Sequence, residues 1–313
     1  MHKEIKVQKL AVPLILVIVV ALFSILTPNF RTWGNFITIL RQVSMICILA
    51  VGMTGVLLTG GIDLSVGVQM GLCGMISSLL MVNYGLGILP ACLIGVAATT
   101  MVGLINGLLI TTTRMPPLIE TLGMSNIVFG INYLVTGGYP VSGLPKGMSI
   151  LGQGYLGFLP VSVVIMILVV AAGAFVLQKT CFGRYLYAIG NNEEAARLSA
   201  VNTKKMLVLV YVIQGALCGI AGLILLSRVN SGQPISGKNT EMDVITACVV
   251  GGVSTTGGEG HILGVIFGVL IIGVLSNGMA VLGMGEYWQM VLKGLVLVIA
   301  VGLDCIGKLH RSR

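Results

Sequence analysis

Five ionisable side chains stand in otherwise apolar sequence: Asp63, Glu120, Glu241, Asp243 and Lys293. A charge at membrane depth costs about 2.5 to 3.5 kcal/mol on insertion scales, so each is a candidate for a proton relay, a solute contact or an interhelical pair. Asp63 sits in a turn with Gly60, Gly61, Ser65 and Gly67. Its bland role is to cap the following helix with Ser65 assisting, because Asp and Ser satisfy orphan backbone N–H groups there. Glu120 and Lys293 read first as snorkelling or interhelical partners. Hydrolytic and metal chemistry is poorly served. There is no HExxH, no paired CxxC and no GxSxG, and His2, His261 and His310 lie at a terminus or a turn. Two runs approach a phosphate-binding loop, Gly232 to Lys238 and Gly302 to Lys308, but Asn239 and Leu309 stand where a magnesium-binding hydroxyl is needed. No catalytic residue, metal ligand set or bound cofactor is assigned, and any ATP is used by another chain.

The long polar segment 178–205 carries a compact helix signature. Asn192 can cap, Glu193 and Glu194 occupy the first turn where the helix dipole favours acid, and Arg197 lies toward the other end where it favours base. Ala195, Leu198 and Ser199 share one face of that short helix at i, i+3 and i+4, a small apolar surface aimed either at the protein's own bundle or at a partner. The amides Asn126, Gln214, Asn277 and Gln289 are uncharged polar groups inside apolar runs, suited either to lining a weakly polar path or to hydrogen-bonding between helices.

The elements that position these residues follow from composition. Of 313 residues 56% are hydrophobic and 9% charged, with 44 glycines and 16 methionines. Soluble chains run near 25% charged and about 7% glycine, so lipid is the main solvent. High hydrophobicity excludes a disordered chain. The 7 cysteines are an odd number spread through apolar runs, which excludes a disulfide scaffold. About 20 apolar residues span a bilayer, and ten such segments are expected, near 10–26, 43–59, 66–82, 89–111, 117–135, 158–177, 206–227, 244–257, 262–281 and 287–303. The expected fold is an all-α polytopic bundle forming one transmembrane domain over 1–313. Segments 117–135 and 244–257 could instead be broken or re-entrant. Gly103 with Gly107, and Gly264 with Gly268, form GxxxG pairs that let helices approach closely.

Lysine and arginine counts orient the chain. With the N-terminus inside, twelve basic residues fall on cytoplasmic segments: Lys3, Lys6, Lys9, Arg114, Lys179, Arg184, Arg197, Lys204, Lys205, Lys308, Arg311 and Arg313. Five fall outside, Arg31, Arg41, Lys146, Arg228 and Lys238, and Lys293 lies within the last span. Residues 1–9, 178–205 and 304–313 are therefore expected in the cytoplasm, and the net +8 reflects loops facing anionic lipid rather than nucleic acid. The turns 56–67 and 248–258 resemble each other weakly, each with a glycine pair (Gly60 and Gly61; Gly251 and Gly252) and further glycines (Gly67; Gly257 and Gly258).

Three runs carry a family resemblance: 53–67 (MTGVLLTGGIDLSVG), 182–199 (FGRYLYAIGNNEEAARLS) and 248–258 (CVVGGVSTTGG). In that order they resemble signatures of the ribose, xylose, galactose and autoinducer-2 class of bacterial ABC-importer permeases. The resemblance implies an inner-membrane permease subunit for a monosaccharide, with ATP and Mg used by a separate ATPase. It implies that helix 193–200, with Glu193, Glu194, Ala195, Ala196, Arg197, Leu198 and Ser199, docks in that ATPase. It also implies delivery by a periplasmic sugar-binding protein and a second permease subunit, homo- or heterodimeric, around one path. Asn191 and Ala200 depart from glycines usual in the family, the first beside the cap and the second at the exit of the helix. The competing readings are an ion-coupled secondary transporter of a small polar solute, with Asp63 or Glu120 carrying charge, and an autoinducer-2 importer permease.

Overall fold

A computed structural model describes residues 2–311, with side chains described over 12–302. The basic side chains of Lys3, Lys6, Lys9, Lys308, Arg311 and Arg313, which the orientation reading uses, lie outside the described side chains. The helices are α1 (His2–Leu26), α2 (Trp33–Leu58), α3 (Val66–Val82), α4 (Ile88–Thr113), α5 (Pro117–Leu134), α6 (Ile150–Gln153), α7 (Val161–Lys179), α8 (Cys181–Asn191), α9 (Glu193–Leu198), α10 (Thr203–Val229), α11 (Thr240–Val250), α12 (Ile262–Val281) and α13 (Glu286–Arg311). A hairpin of two-residue strands, β1 (Tyr155–Leu156) and β2 (Leu159–Pro160), precedes α7, with Leu156 opposite Leu159 across a tight turn. The protein is an all-α membrane protein. Among the described residues α2, α4, α7, α10 and α12 are long and apolar enough to cross a bilayer, while residues 12–26 and α3 are shorter apolar helices.

The two segments left open between a full span and a broken or re-entrant helix differ in the structure. Segment 244–257 takes the shorter form. Helix α11 has 11 residues and stops at Val250, about 16 Å of rise against a hydrocarbon core of about 30 Å. Gly251 abuts the Gly264 carbonyl of α12, and Gly252 takes a φ of 84° that turns the chain away. Segment 117–135, by contrast, is one unbroken helix, because Pro116 and Pro117 fall at its cap and first position, where a missing N–H costs nothing. The second span also begins ten residues earlier than residue 43, since Thr32 caps α2 by accepting from the Asn35 amide.

Helix α2 is the axis of the core. Every residue from Val43 to Leu58 on it is buried, as expected of a helix apolar all round, and α7, α10, α11 and α12 pack around it. Helix α10 binds α4 at close range: a Cβ on Gly103 would collide with the Tyr211 carbonyl, and one on Gly107 would come within 2.8 Å of Val208 Cα. The second GxxxG pair does the same between α12 and α11, with Gly264 against Gly251 and Gly268 against Ala247. These contacts maximise van der Waals attraction, the main force between helices in lipid.

Candidate functional site

The three runs singled out in the sequence meet at one junction. Residues 58–61 leave α2, residues 251–261 link α11 to α12, and the end of α8 is wedged between them. The Gly258 amide donates to the Leu58 carbonyl at 2.9 Å. A Cβ on Gly190 would collide with the same Leu58 carbonyl and with the Gly258 nitrogen, and one on Gly257 would reach Gly190 Cα at 3.0 Å. Only glycine on both sides permits this backbone packing. Gly60, Gly257 and Gly258 also hold φ of 77°, 91° and 75°, a region costly for residues with a Cβ. The Tyr187 hydroxyl adds a second tie, donating to the Gly260 carbonyl at 2.7 Å. Burial pushes the Tyr187 phenol up from its ordinary value, which keeps it a donor.

Helices α8 and α9 form a continuous arm from this junction. Thr180 caps α8 by accepting from the Gly183 amide, and Gly183, Leu186 and Ile189 are its buried face. Asn192 caps α9, accepting from the Ala195 amide at 2.9 Å. Glu193 and Glu194 fill the first turn, and Arg197 donates to Glu194 at 2.6 Å on the surface. Ala196 alone of this helix is buried, while Ala195, Ser199 and Leu198 are exposed, Leu198 at 81%. The arm thus rests on Ala196 and leaves the i, i+3, i+4 face exposed among the described residues. Its exit is fixed by Ala200 in the left-handed region, φ 63°, and by Asn202, which accepts from the Lys205 amide to start α10.

Asp63 is not the cap that the sequence suggested. Ser65 holds the N-cap position of α3 without a side-chain cap bond, and Asp63 Oδ1 accepts from the Ser65 amide at 2.8 Å and from its hydroxyl at 2.5 Å. The carboxylate closes a turn one step before the helix. Glu120 is buried next to Thr121, whose hydroxyl accepts from the Leu64 amide and lies 3.1 Å from the Ile62 carbonyl. Lys293 pairs with Asp243 at 2.8 Å, joining α13 to α11.

The four amides have separate surroundings. Asn126 is exposed and donates to the Leu122 carbonyl within α5. Gln214 is fully buried against Gly52 and Leu49 of α2. Asn277 exchanges two 2.9 Å hydrogen bonds with Asn35. Gln289 donates to the Met284 carbonyl. No common partner gathers them. Tyr187 and Gly190 escaped the sequence reading, although a glycine one residue before the end of an amphipathic helix is a sign of close backbone contact.

The arrangement is an exposed knob on a capped arm, whose root is locked into the turns at the ends of α2 and α11. Residues 35–301 match the family described as branched-chain amino acid transport system / permease component. The chain is 42% identical over 305 residues to the ribose import permease protein RbsC of Bacillus subtilis (strain 168), covering 97% of this chain and 94% of that protein. It is 39% identical to RbsC of Escherichia coli (strain K12), covering 92% and 91%, and 36% identical to the galactose/methyl galactoside import permease protein MglC of the same strain, covering 93% and 92%. No solved structure matches. The chain therefore belongs to this permease family, as a membrane transport component rather than an enzyme.

Proposed function

We propose that this chain is the permease subunit of an ABC importer that carries a monosaccharide, of the ribose or hexose type, across the bacterial inner membrane. What supports the substrate class is the set of relatives named for ribose and galactose import at 36–42% identity over nearly the whole chain. What supports the power source is the α8–α9 arm. Its exposed Leu198 face fits a cleft in a separate ATPase, which binds ATP and Mg. Closure of that ATPase moves α9, and the Gly190 junction passes the movement to α2 and α11, elements with two packings on glycine surfaces.

In this reading residues 1–313 form one permease domain with both termini in the cytoplasm. The 178–205 segment lies on that side, and two permease subunits enclose one path. A periplasmic sugar-binding protein meets the opposite face, and the path is weakly polar, with Asn126, Gln214, Asn277 and Gln289 as its candidate lining. Ten membrane segments are kept, with the eighth entering as the half-length α11. Deleting residues 193–200 is the test: sugar uptake is lost while the chain still inserts. Uptake that persists after the deletion overturns the reading.

A further inference from the structure

The buried turn around Asp63 contains more oxygen acceptors than the protein can satisfy. Ser65 explains why. Its one hydroxyl proton goes to Asp63 Oδ1, so its two lone pairs must accept, and they do, from Gln69 Nε2 at 2.8 Å and Asn106 Nδ2 at 3.1 Å. Both amides are thereby held with NH2 toward Ser65, and neither can be turned round without losing a bond. Their carbonyl oxygens, Gln69 Oε1 and Asn106 Oδ1, are left without a partner, although both residues are fully buried.

Four further oxygens share this fate. Asp63 Oδ2, both carboxylate oxygens of Glu120 and the Tyr211 hydroxyl are buried without a hydrogen bond. They belong to one neighbourhood. Thr121 ties α5, beside Glu120, to the backbone on either side of Asp63. Tyr211 OH faces Gly61, where a Cβ would sit 2.6 Å away. Among the described residues the ion pairs are Arg197 with Glu194 and Lys293 with Asp243, so no basic side chain pairs with either acid. Unpaired buried carboxylates are strongly unfavourable, and a set made almost wholly of acceptors calls for a positive ligand.

We propose that this buried cluster of oxygens, between the 58–67 turn, α4, α5 and α10, binds one hard cation per chain through the Asp63 and Glu120 carboxylates, with the Asn106 side chain and the Tyr211 hydroxyl beside it. Carboxylate and amide oxygens suit sodium, potassium, calcium or magnesium rather than a soft metal. Among the described residues no group of three or more His, Cys, Asp or Glu side chains could hold a metal ion, so the cation proposed here rests on two carboxylates with neutral oxygens beside them. The cation ties the turn after α2 to α4 and α5, a few residues from the Leu58–Gly258 junction, so it would stiffen the element that the coupling arm moves.

The test uses the full-length chain in lipid nanodiscs. Thermal unfolding is followed in sodium, potassium, calcium, magnesium and choline chlorides at matched ionic strength and fixed pH. One cation should raise the Tm saturably, by about 5 °C at saturation, relative to choline, and equilibrium dialysis should give one ion per chain. The sodium and potassium arms against the calcium and magnesium arms show which charge the site selects. Glu120→Gln should abolish the cation-dependent shift, and Asn106→Ala, which keeps both acids, should weaken binding at least about tenfold. A Tm independent of cation identity overturns the proposal and leaves protons or buried water to satisfy the cluster. A cation shift that survives both substitutions overturns it as well, since the ion then binds elsewhere.

Discussion

Gly190 of α8 packs against the Leu58 carbonyl at the exit of α2, so closely that no Cβ fits between them. The contact joins the surface arm to the most buried helix of the bundle, and the Gly258 amide completes it from the third segment. A displacement of α9 therefore cannot be absorbed by side-chain slack at the root of the arm.

Substituting Gly190→Ala drives a methyl into that contact. Overpacking of this kind costs about 1–3 kcal/mol. The expected outcome is a lower Tm and sharply reduced uptake with normal binding of the ATPase, checked by thermal unfolding and by copurification of the two chains.

Ala200 carries a Cβ in the left-handed region, which costs about 1–2 kcal/mol relative to the helical region. Ala200→Gly removes that strain and loosens the unfolded chain. A net gain of up to about 1 kcal/mol should appear in denaturant unfolding.

Among the described residues the Asn192 cap is the sole side-chain bond on the first-turn amides of α9. Asn192→Ala should cost about 1 kcal/mol locally and raise hydrogen exchange in 193–198. Asn192→Asp should restore both, because Asp caps equally well.

Lys293 and Asp243 tie α13 to α11, each largely buried at 23% and 15% side-chain exposure. Asp243→Asn strands the ammonium and should destabilise by about 1–3 kcal/mol. Adding Lys293→Met should recover much of that loss, a sign change that thermal unfolding of the two variants reads directly.

How far the sequence foretold this depended on the range of the forces involved. Helix α12 spans the expected 262–281, because an apolar run bounded by His261 and the turn at Gly283 is a local signal. The Asn192 cap, the acidic first turn and Arg197 were legible for the same reason. Asp63 was misread because capping preference is a statistical property of the residue type, whereas its actual bonds depend on a turn geometry that no spacing reveals. The end of α11 at Val250 was legible only in part. Gly251 and Gly252 are a local stop signal, Gly252 taking a φ of 84°, whereas the close approach of Gly251 to Gly264 of α12 is a contact distant in sequence that no local pattern reveals. Meeting of the three motif runs at Gly190 was likewise invisible, since tertiary contact leaves no mark on any one of them.

The most direct measurement is ATP-driven sugar uptake in proteoliposomes carrying the permease, its ATPase and its binding protein, with Leu198→Glu in the permease. Leu198 is exposed, so the chain itself should lose no more than about 0.5 kcal/mol. A charge on a central docking residue costs about 2 kcal/mol or more, and affinity for the ATPase should fall at least about thirtyfold, with uptake lost. Wild-type ATPase affinity and uptake in that variant would contradict the account that the α9 face is where this permease is driven.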